Sequence, residues 1–329
     1  MKMMKKIPAL MASLCLGFGG VSSLAQAQGS ANGYPSAPIK IIVGFSAGGP
    51  TDLAARMVAA KLQIVFGQPV LVENRPGAGS NLASEIVARA APDGLTLLMA
   101  AAPLSINGYL YKDLKFDAMR SFEPISQVMS APCILAVPPN SAKTLAELMT
   151  MARKEPGKLS FSSSGAGGSQ HLAGELLQQK AGVKLIHIPY KGASPALNDL
   201  MGGQVSMGFM TSLSAVPYFK DGRLRALAVA SAKRLPQLPD VPTMAEVGLP
   251  GVEIDSWSGL LAPAKTPPEI VDKLQREIAK ALAAPDVNDR LMAQGAVVVG
   301  STPAEFRAYL AHESSSYGAL IKSLNLRLN

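Results

Sequence analysis

Four short segments place glycine, serine and other small residues where an apolar run gives way to a helical pattern. They read IKIIVGFSAGGPTD at 39–52, NRPGAGSNL at 74–82, SFSSSGAGGSQHL at 160–172 and IHIPYKGASPA at 186–196. The first-turn N–H groups of a helix lack partners within the helix, and the helix dipole favours negative charge at that end. Glycine also lets a ligand approach the backbone closely. Several such helix starts converging on one cleft would hold a carboxylate.

The first segment also contains G-x-S-x-G, the pattern of a nucleophile elbow, with Ser46 as its serine. Hydrolases with this elbow have several strands and an oxyanion-hole loop ahead of it, whereas here only one short stretch precedes the strand. His171, His187 and His312 are the candidate bases, but each also fits a plainer role near a loop or helix surface. A secreted serine hydrolase is therefore the enzymatic alternative to a binding protein.

The sequence gives little support for a nucleotide cofactor, a bound metal or a nucleic-acid partner. No G-x-x-x-x-G-K-[ST] occurs, and Leu82 stands where a dinucleotide fingerprint beginning at Gly77 needs a third glycine or alanine. The three histidines are too far apart in sequence for a metal-ligand spacing. Lysines and arginines are scattered, and aromatic residues make up 5% of the chain, which argues against a nucleic-acid surface. We therefore expect no cofactor, no metal and no nucleic-acid partner.

The N-terminus has the order of a secretory signal peptide. Three lysines are followed by an apolar run at 7–21 and by AQA at 25–27, so cleavage is expected after Ala27. That run is shorter than the roughly 20 residues of a membrane span. Removing 1–27 takes away three lysines and lowers the formal net charge from +8 to +5. One cysteine, Cys133, then remains, so an exported chain would lack an intramolecular disulfide.

Strand-like runs alternate with helical patterns, which predicts an α/β protein with largely parallel sheets. The predicted strands lie near 39–45, 70–73, 96–100, 133–137, 159–162, 185–188, 207–209, 227–230 and 297–299. The clearest helix covers 268–283, where apolar residues recur every four positions after a proline. Another helix is expected to begin at Thr302, whose spacing to Glu305 fits a capping box.

The chain is predicted to cross twice between two lobes, once after 122–125 and once near 252–257. It would start in lobe one, build lobe two and return. We therefore expect lobe one at 34–131 plus 253–329, and lobe two at 132–252. Two crossings make a hinge, and ligand sites favour the interface between domains.

These segments together resemble the Bug family of periplasmic solute receptors, the substrate-binding components of tripartite tricarboxylate transporters. The resemblance covers nearly the whole mature chain. Its six segments are IVGFSAGGPTD at 42–52, VENRPGAGSN at 72–81, APDG at 91–94, QHLAGE at 170–175, PYKG at 189–192 and WSGLLAP at 257–263. One glycine loop would be weak support, but six segments in the family's order are specific.

The resemblance implies a two-lobed periplasmic binding protein, a Venus flytrap in which each lobe is a mostly parallel sheet flanked by helices. It implies no catalysis, a small organic carboxylate as ligand, membrane permease subunits as partners, and a monomer. A solute sensor not coupled to transport is the other alternative. Backbone N–H groups and ordered waters would hold the carboxylate. The residues carried over are Phe45, Ala47, Gly48, Gly49, Asp52, Asn81, Ser163, Ser164, Gly165, Gly168, Ser169, Tyr190, Lys191 and Gly192.

Some of these positions also have a structural interpretation. Asp52 fits a first helical turn, where its charge favours the dipole. Residues 73–75 are expected to brace the first loop rather than touch solute. His171 fits a capping or packing group, and Trp257 fits either the core or a wall of the cleft. Lys191 is the one cation inside a predicted binding loop, which makes it a candidate anion contact.

One position departs from the family pattern. The family often has Phe-Asp-Asn where this chain has Phe209, Met210 and Thr211. If Met210 faces the cleft, it offers an apolar, polarizable surface, and the solute should lack an amino group and carry an apolar portion. The alternative interpretation is that Met210 packs in the core after a buried strand.

Overall fold

The computed structural model describes residues 33–327. The predicted signal peptide and its cleavage site lie outside the described residues. Within 33–327, no helix has both the length and the apolar run that crossing a bilayer would require.

Strands and helices alternate along the described chain, as predicted. The strands are β1 (Ile39–Val43), β2 (Val70–Asn74), β3 (Thr96–Ala101), β4 (Phe122–Val137), β5 (Ser160–Ser163), β6 (Ile186–Pro189), β7 (Met207–Thr211), β8 (Arg225–Val229), β9 (Asp255–Pro263) and β10 (Val297–Val298). The helices are α1 (Pro50–Phe66), α2 (Asn81–Ala88), α3 (Pro103–Leu110), α4 (Leu145–Lys154), α5 (Ser169–Ala181), α6 (Ala193–Met201), α7 (Ser212–Lys220), α8 (Pro268–Ala283), α9 (Pro285–Ala293) and α10 (Pro303–Leu324).

The strands form two sheets that share one long strand. Their order is β2-β1-β3-β9-β4-β7-β5-β6, with β8 and β10 also pairing with β4. Strand β1 pairs in parallel with β2 and β3, and β5 pairs in parallel with β6 and β7. Strands β4 and β9 run antiparallel to their neighbours. The first lobe is thus built on β1–β3 and the second on β5–β7, which confirms the two-lobed α/β class.

Strand β4 joins the two sheets. Its first part, from Phe122 to Pro132, pairs with β9, whereas its end from Cys133 pairs with β7. The sequence predicted only the last part of this strand and did not predict β9. Pro124 and Pro132 interrupt the apolar pattern of β4, and the register shifts beside Pro124, where a ladder N–H is missing. The lobe boundaries at 131/132 and 252/253 remain a prediction.

Both faces of the sheets are buried, which explains why the strand sequences are continuous apolar runs. In β1, Ile41 and Val43 pack in the cluster under α1 and α8, while Ile42 belongs to the cluster on the opposite face. The predicted stripe on α8 is confirmed, since Ile270, Leu274, Ile278 and Leu282 are all buried. Each contributes on the order of 1.5–3 kcal/mol, an upper estimate for area burial.

Two further local predictions concern α10 and the cysteine. The capping box of α10 is present: Thr302 Oγ1 accepts from the Glu305 N–H at 3.3 Å, and Glu305 Oε2 accepts from the Thr302 N–H at 2.8 Å. Cys133 is fully buried, and burial together with Asp255 raises the pKa of its thiol. A thiol in that setting is structural rather than reactive.

Trp257 lies in the core rather than in the wall of the cleft. It is completely buried on β9 and packs edge-on against Phe306 of α10. Its Nε1–H donates to Glu313 Oε2 at 2.8 Å. Burial raises the pKa of that Glu313 carboxyl to about 7. Trp257 therefore ties strand β9 of the first sheet to helix α10.

Candidate functional site

Four helix N-termini converge on one cavity between the lobes. Helices α1 and α5 begin after Gly49 and Gly168, α6 begins after Gly192, and α3 begins at Pro103. The cavity is lined by Phe45, Gly49, Pro50, Thr51, Ala101, Ala102, Pro103, Ser164, Gly168, Ser169, Gln170, Ala193 and Ser256. The sequence predicted convergence for the starts of α1, α2, α5 and α6. The starts of α1, α5 and α6 line this cavity, whereas the segment before α2 lines a neighbouring one.

The potential in this cavity comes from dipoles rather than from ions. None of its lining residues within the described chain carries a charged side chain. The N-terminal ends of α1, α3, α5 and α6 each place a partial positive charge near it. The enclosed space is about 20 Å³, room for about one water molecule. The arrangement suits a small anionic group.

A second, larger cavity of about 230 Å³ adjoins the first. Phe45 and Ser164 line both cavities, so these two side chains stand between them. Its other lining residues are Gly44, Gly77, Ala78, Gly79, Ser80, Tyr111, Gly165, Ala166, Pro189, Tyr190 and Lys191. Lys191 supplies this lining with a cationic side chain. The second cavity therefore differs from the first in both size and charge.

The first loop, 44–49, is braced from behind by Asp52. The Asp52 side chain is 2% exposed, and its Oδ2 accepts from the Gly48 N–H at 2.8 Å and from Arg56 Nε at 3.0 Å. Its Oδ1 accepts from Asn74 Nδ2 at 2.9 Å, and the same Nδ2 donates to the Phe45 carbonyl at 3.0 Å. Burial works to raise the pKa of Asp52, but the hydrogen bonds outweigh it and the pKa is lowered.

This bracing gives Asp52 and Gly48 a role within the loop, and their contact with the ligand stays a prediction. Both Asp52 oxygens are committed to the loop, and the Gly48 N–H points at Asp52. Gly48 has a φ of +78°, so its role is to allow the turn. The expectation that Asn74 braces the loop is confirmed.

The second-lobe loop, 163–168, is held by two imidazoles. Ser163 Oγ lies 2.7 Å from His187 Nε2, and the Gly167 N–H donates to His171 Nδ1 at 3.2 Å. Ser164 Oγ donates to Gln170 Oε1 at 2.7 Å. Ser163 is fully buried, so it supports the loop instead of lining the cavity.

The other predicted residues divide into lining and supporting positions. Phe45, Gly49, Ser164, Gly168 and Ser169 line the first cavity, and Gly165, Tyr190 and Lys191 line the second. The Tyr190 hydroxyl donates to Asp199 at 2.6 Å, and burial with this bond raises the pKa of Tyr190 to about 12.

The remaining predicted residues hold loops together. The Ala47 carbonyl accepts from Ser194 Oγ at 3.1 Å, and Asn81 Oδ1 accepts from Asn107 Nδ2 at 2.6 Å. Gly192 lies against Ser46 where the two lobes touch, leaving no room for a β-carbon. These contacts make Ala47, Asn81 and Gly192 supporting residues in this structure.

Met210 does not face the cleft. It is 2% exposed and packs with Ala136, Leu197 and Leu200. Strand β7 is buried along its whole length, because one face carries Met207 and Phe209 while the other carries Met210. The core interpretation of Met210 is therefore the correct one, and the inference about a missing amino group loses its basis.

Residue-level reasoning missed the junction between β3 and α3. Ala101, Ala102 and Pro103 line the first cavity, and α3 supplies the fourth helix N-terminus. Glycine is the residue that indicates close approach of a ligand to the backbone, and this junction has none. An apolar run that ends in small residues and then proline was the available signal.

The structure gives Ser46 no catalytic base. Its hydroxyl is buried without a hydrogen-bonding partner among the described residues. The His187 Nε2 faces Ser163, and His171 faces Gly167 and Glu175. His312 lies exposed on α10. A nucleophilic serine needs a base within hydrogen-bond reach, so the hydrolase alternative is not supported.

Comparisons with known proteins agree with this geometry. Residues 54–326 match the model of the tripartite tricarboxylate transporter family receptor. The chain is 36% identical over 302 residues to protein BugT of Bordetella pertussis, covering 91% of this chain and 93% of BugT.

Two solved structures share the fold over nearly the whole chain. One is the periplasmic binding protein BugD, with a TM-score of 0.86 and 36% identity, covering 90% of this chain and all of BugD. The other is an R. palustris protein with adipate, with a TM-score of 0.86 and 32% identity at the same coverage. The chain belongs to the tripartite tricarboxylate transporter receptor family.

Proposed function

We propose that this receptor captures a small organic carboxylate in the periplasm and delivers it to the permease subunits of a tripartite transporter. The observation that carries the proposal is the convergence of four helix N-termini on a cavity whose described lining has no charged side chain. Neutral dipoles hold an anion without the desolvation of an opposing buried charge. Such a site binds a carboxylate and can also release it.

The two adjoining cavities suggest which part of the ligand lies in each of them. One carboxylate occupies the first cavity, and the rest of the molecule extends past Phe45 and Ser164 into the second. Lys191 and Tyr111 line that second space, where they favour a polar or anionic far end. The relative with adipate, a dicarboxylate, supports this class of ligand.

We infer that the ligand is loaded with the lobes further apart, because in this structure the first cavity has room for only about one water molecule. In this structure the lobes touch directly: the Ser46 N–H donates to the Lys191 carbonyl at 3.0 Å, and Ser194 Oγ donates to the Ala47 carbonyl at 3.1 Å. We assign the moving bodies to 34–131 plus 253–329 and to 132–252. The protein acts as a monomer, exported by cleavage after Ala27.

Thermal unfolding with a matched pair of ligands tests the proposal. Adipate and its neutral diamide, adipamide, have the same carbon skeleton but differ in charge. A ligand at about 100 times its dissociation constant adds roughly 2.7 kcal/mol of stability. We expect stabilisation by adipate, or by malate or citrate in the same series, and none by the diamide.

Two outcomes would contradict the proposal. One is a protein that no carboxylate in the series stabilises. The other is equal stabilisation by adipate and adipamide, which would show that the cavity does not select negative charge. Labelling of Ser46 by a fluorophosphonate would in addition restore the hydrolase alternative.

A further inference from the structure

The imidazoles of His171, which is buried, and of His187, which is partly exposed, contact the second-lobe loop 163–168. His171 comes from the first turn of α5 and is 3% exposed, and His187 comes from β6. Their rings stack at 4.0 Å with an angle of 13° between the planes. Phe161 of β5 stacks on His187 at 4.8 Å. Three elements of the second lobe thus meet at this stack.

Each imidazole is bonded to one end of the loop. His187 Nε2 lies 2.7 Å from Ser163 Oγ, and that oxygen also donates to the Gly165 carbonyl at 3.1 Å. His171 Nδ1 accepts from the Gly167 N–H at 3.2 Å. The loop is consequently tied at Ser163 and Gly167, on both sides of the residues that line the cavities.

The contacts of His171 define its tautomer. Its Nδ1 accepts a hydrogen bond, so this nitrogen carries no proton. Its Nε2 lies 3.5 Å from Glu175 Oε1, one turn further along α5, and this nitrogen carries the proton. An aromatic residue without ring nitrogens would fill the same space, but it would leave the Gly167 N–H without its partner. The ring nitrogen of His171 therefore makes a hydrogen bond to the loop that packing alone would not provide.

Resting on the proposed function, we propose that His171 and His187 are positioning residues for carboxylate binding. By holding Gly167 and Ser163, they fix the loop so that Ser164, Gly165 and the start of α5 face the cavities. Neither imidazole touches the ligand. Affinity depends on the pair because misplaced backbone donors bind an anion poorly.

Paired substitutions separate positioning from packing. His171→Phe and His187→Phe keep an aromatic ring but remove the nitrogens. His171→Asn keeps an acceptor near the place of Nδ1, and His187→Gln keeps a polar atom near the place of Nε2. His312→Phe, on the exposed face of α10, is the matched control. Ser163→Ala removes only the hydroxyl that contacts His187, and it serves as the test if a ring variant fails to fold.

Two measurements are made on each purified full-length variant. Amide hydrogen exchange of peptides covering 163–168, without ligand, reports the order of the loop. Calorimetry with adipate reports affinity. We expect the two Phe variants to lose about tenfold in loop protection and about tenfold in affinity, the scale of one lost hydrogen bond to an ordered group. The Asn and Gln variants should recover most of both, and His312→Phe should change neither.

The exchange measurement needs no ligand, so the inference and the proposed function can fail separately. If adipate does not bind the unaltered protein, the proposed function fails while loop protection still tests the positioning role. Unchanged loop protection in both Phe variants and in Ser163→Ala would overturn the inference. So would equal losses in the Phe variants and in their Asn and Gln counterparts, because the nitrogens would then be irrelevant.

Discussion

The loops 44–49 and 163–168 face each other across the cleft and end in nearly the same backbone conformation, but different chemistry braces them. Gly49 caps α1 at φ −79° and ψ 169°, and Gly168 caps α5 at φ −84° and ψ 167°. The first loop is held by the carboxylate of Asp52, and the second by the imidazoles of His171 and His187.

The difference shows that two loops can present backbone N–H donors to an anion while different side chains hold each loop in place. Behind the first loop, Asp52, Arg56 and Asn74 form an ionic network at the edge of the sheet. Behind the second, the buried His171 and the partly exposed His187 stack on each other. The pKa values of Asp52 and His187 are both lowered, but from different starting values, 3.8 and 6.5. The two loops should therefore respond to acid over different pH ranges.

The largest effect is expected where Gly79 of the first lobe touches the second-lobe loop 163–168. A β-carbon at Gly79 would lie 2.6 Å from the Ala166 carbonyl oxygen of the opposite lobe. Gly79→Ala should therefore keep the lobes apart and weaken adipate binding by about a hundredfold, roughly 2.7 kcal/mol. Calorimetry measures this. Gly182→Ala is the control, because Gly182 has nearly the same positive φ, +63° against +60°, with open space around it. Equal loss in both variants would mean that backbone strain, not lobe contact, is responsible.

The next largest effect, on stability, is expected from removing the Asp52 carboxylate that supports the first loop. Asp52→Ala leaves the Gly48 N–H, the Asn74 amide and the Arg56 guanidinium without their shared acceptor. We expect the free energy of unfolding to fall by about 2 kcal/mol, measured by urea denaturation. Asp286→Ala removes an exposed ion pair with Lys61 and should leave stability nearly unchanged. A similar result for both would show that the network behind the first loop contributes nothing.

Mild acid should weaken the second loop before the first. Burial, together with His171, lowers the pKa of His187 to about 3, against 6.5 for a free imidazole. As the pH falls from about 6.5 towards 3, the unfolded chain gains a proton that the folded chain does not, so stability falls. The slope is at most about 1.4 kcal/mol per pH unit. Asp52, whose pKa is lowered from 3.8, loses its contribution only below about pH 4.

Urea denaturation at pH 7.5 and pH 5 measures this difference. His187→Phe should flatten the decline between these two values, and His312→Phe should not. A decline that is the same in wild type and His187→Phe would remove the imidazole stack as its source. Hydrogen exchange at pH 5 should then also show loop 163–168 as protected as it is at pH 7.5.

The smallest effect is expected at Met210, which lies in the second lobe but away from both loops. Met210→Leu conserves volume in a packed core and should cost less than about 1.5 kcal/mol of stability. Adipate affinity should stay within error of the unaltered protein. A clear change in affinity would return Met210 to the site and would extend the comparison beyond the loops.

Local chemistry was readable from the sequence, because it depends on residues that are near one another in the chain. The capping box at Thr302, the buried stripe of α8 and the glycine starts of α1 and α5 all follow from spacing within one or two turns. The six family segments similarly indicated a two-lobed receptor. The strands β4 and β9 were harder, since prolines and polar residues hide a long strand that is stabilised by its neighbours.

By itself, the sequence determined that helix starts rich in small residues would present backbone donors, because capping and glycine conformations are local properties. Only the tertiary structure decided which of these donors face one cavity. It also decided that the oxygens of Asp52 are used within the loop, that His171 and His187 stack, and that Met210 packs in the core on one face of β7. These outcomes depend on contacts between segments far apart in the chain, where packing and desolvation of the assembled lobes settle which side chains are exposed.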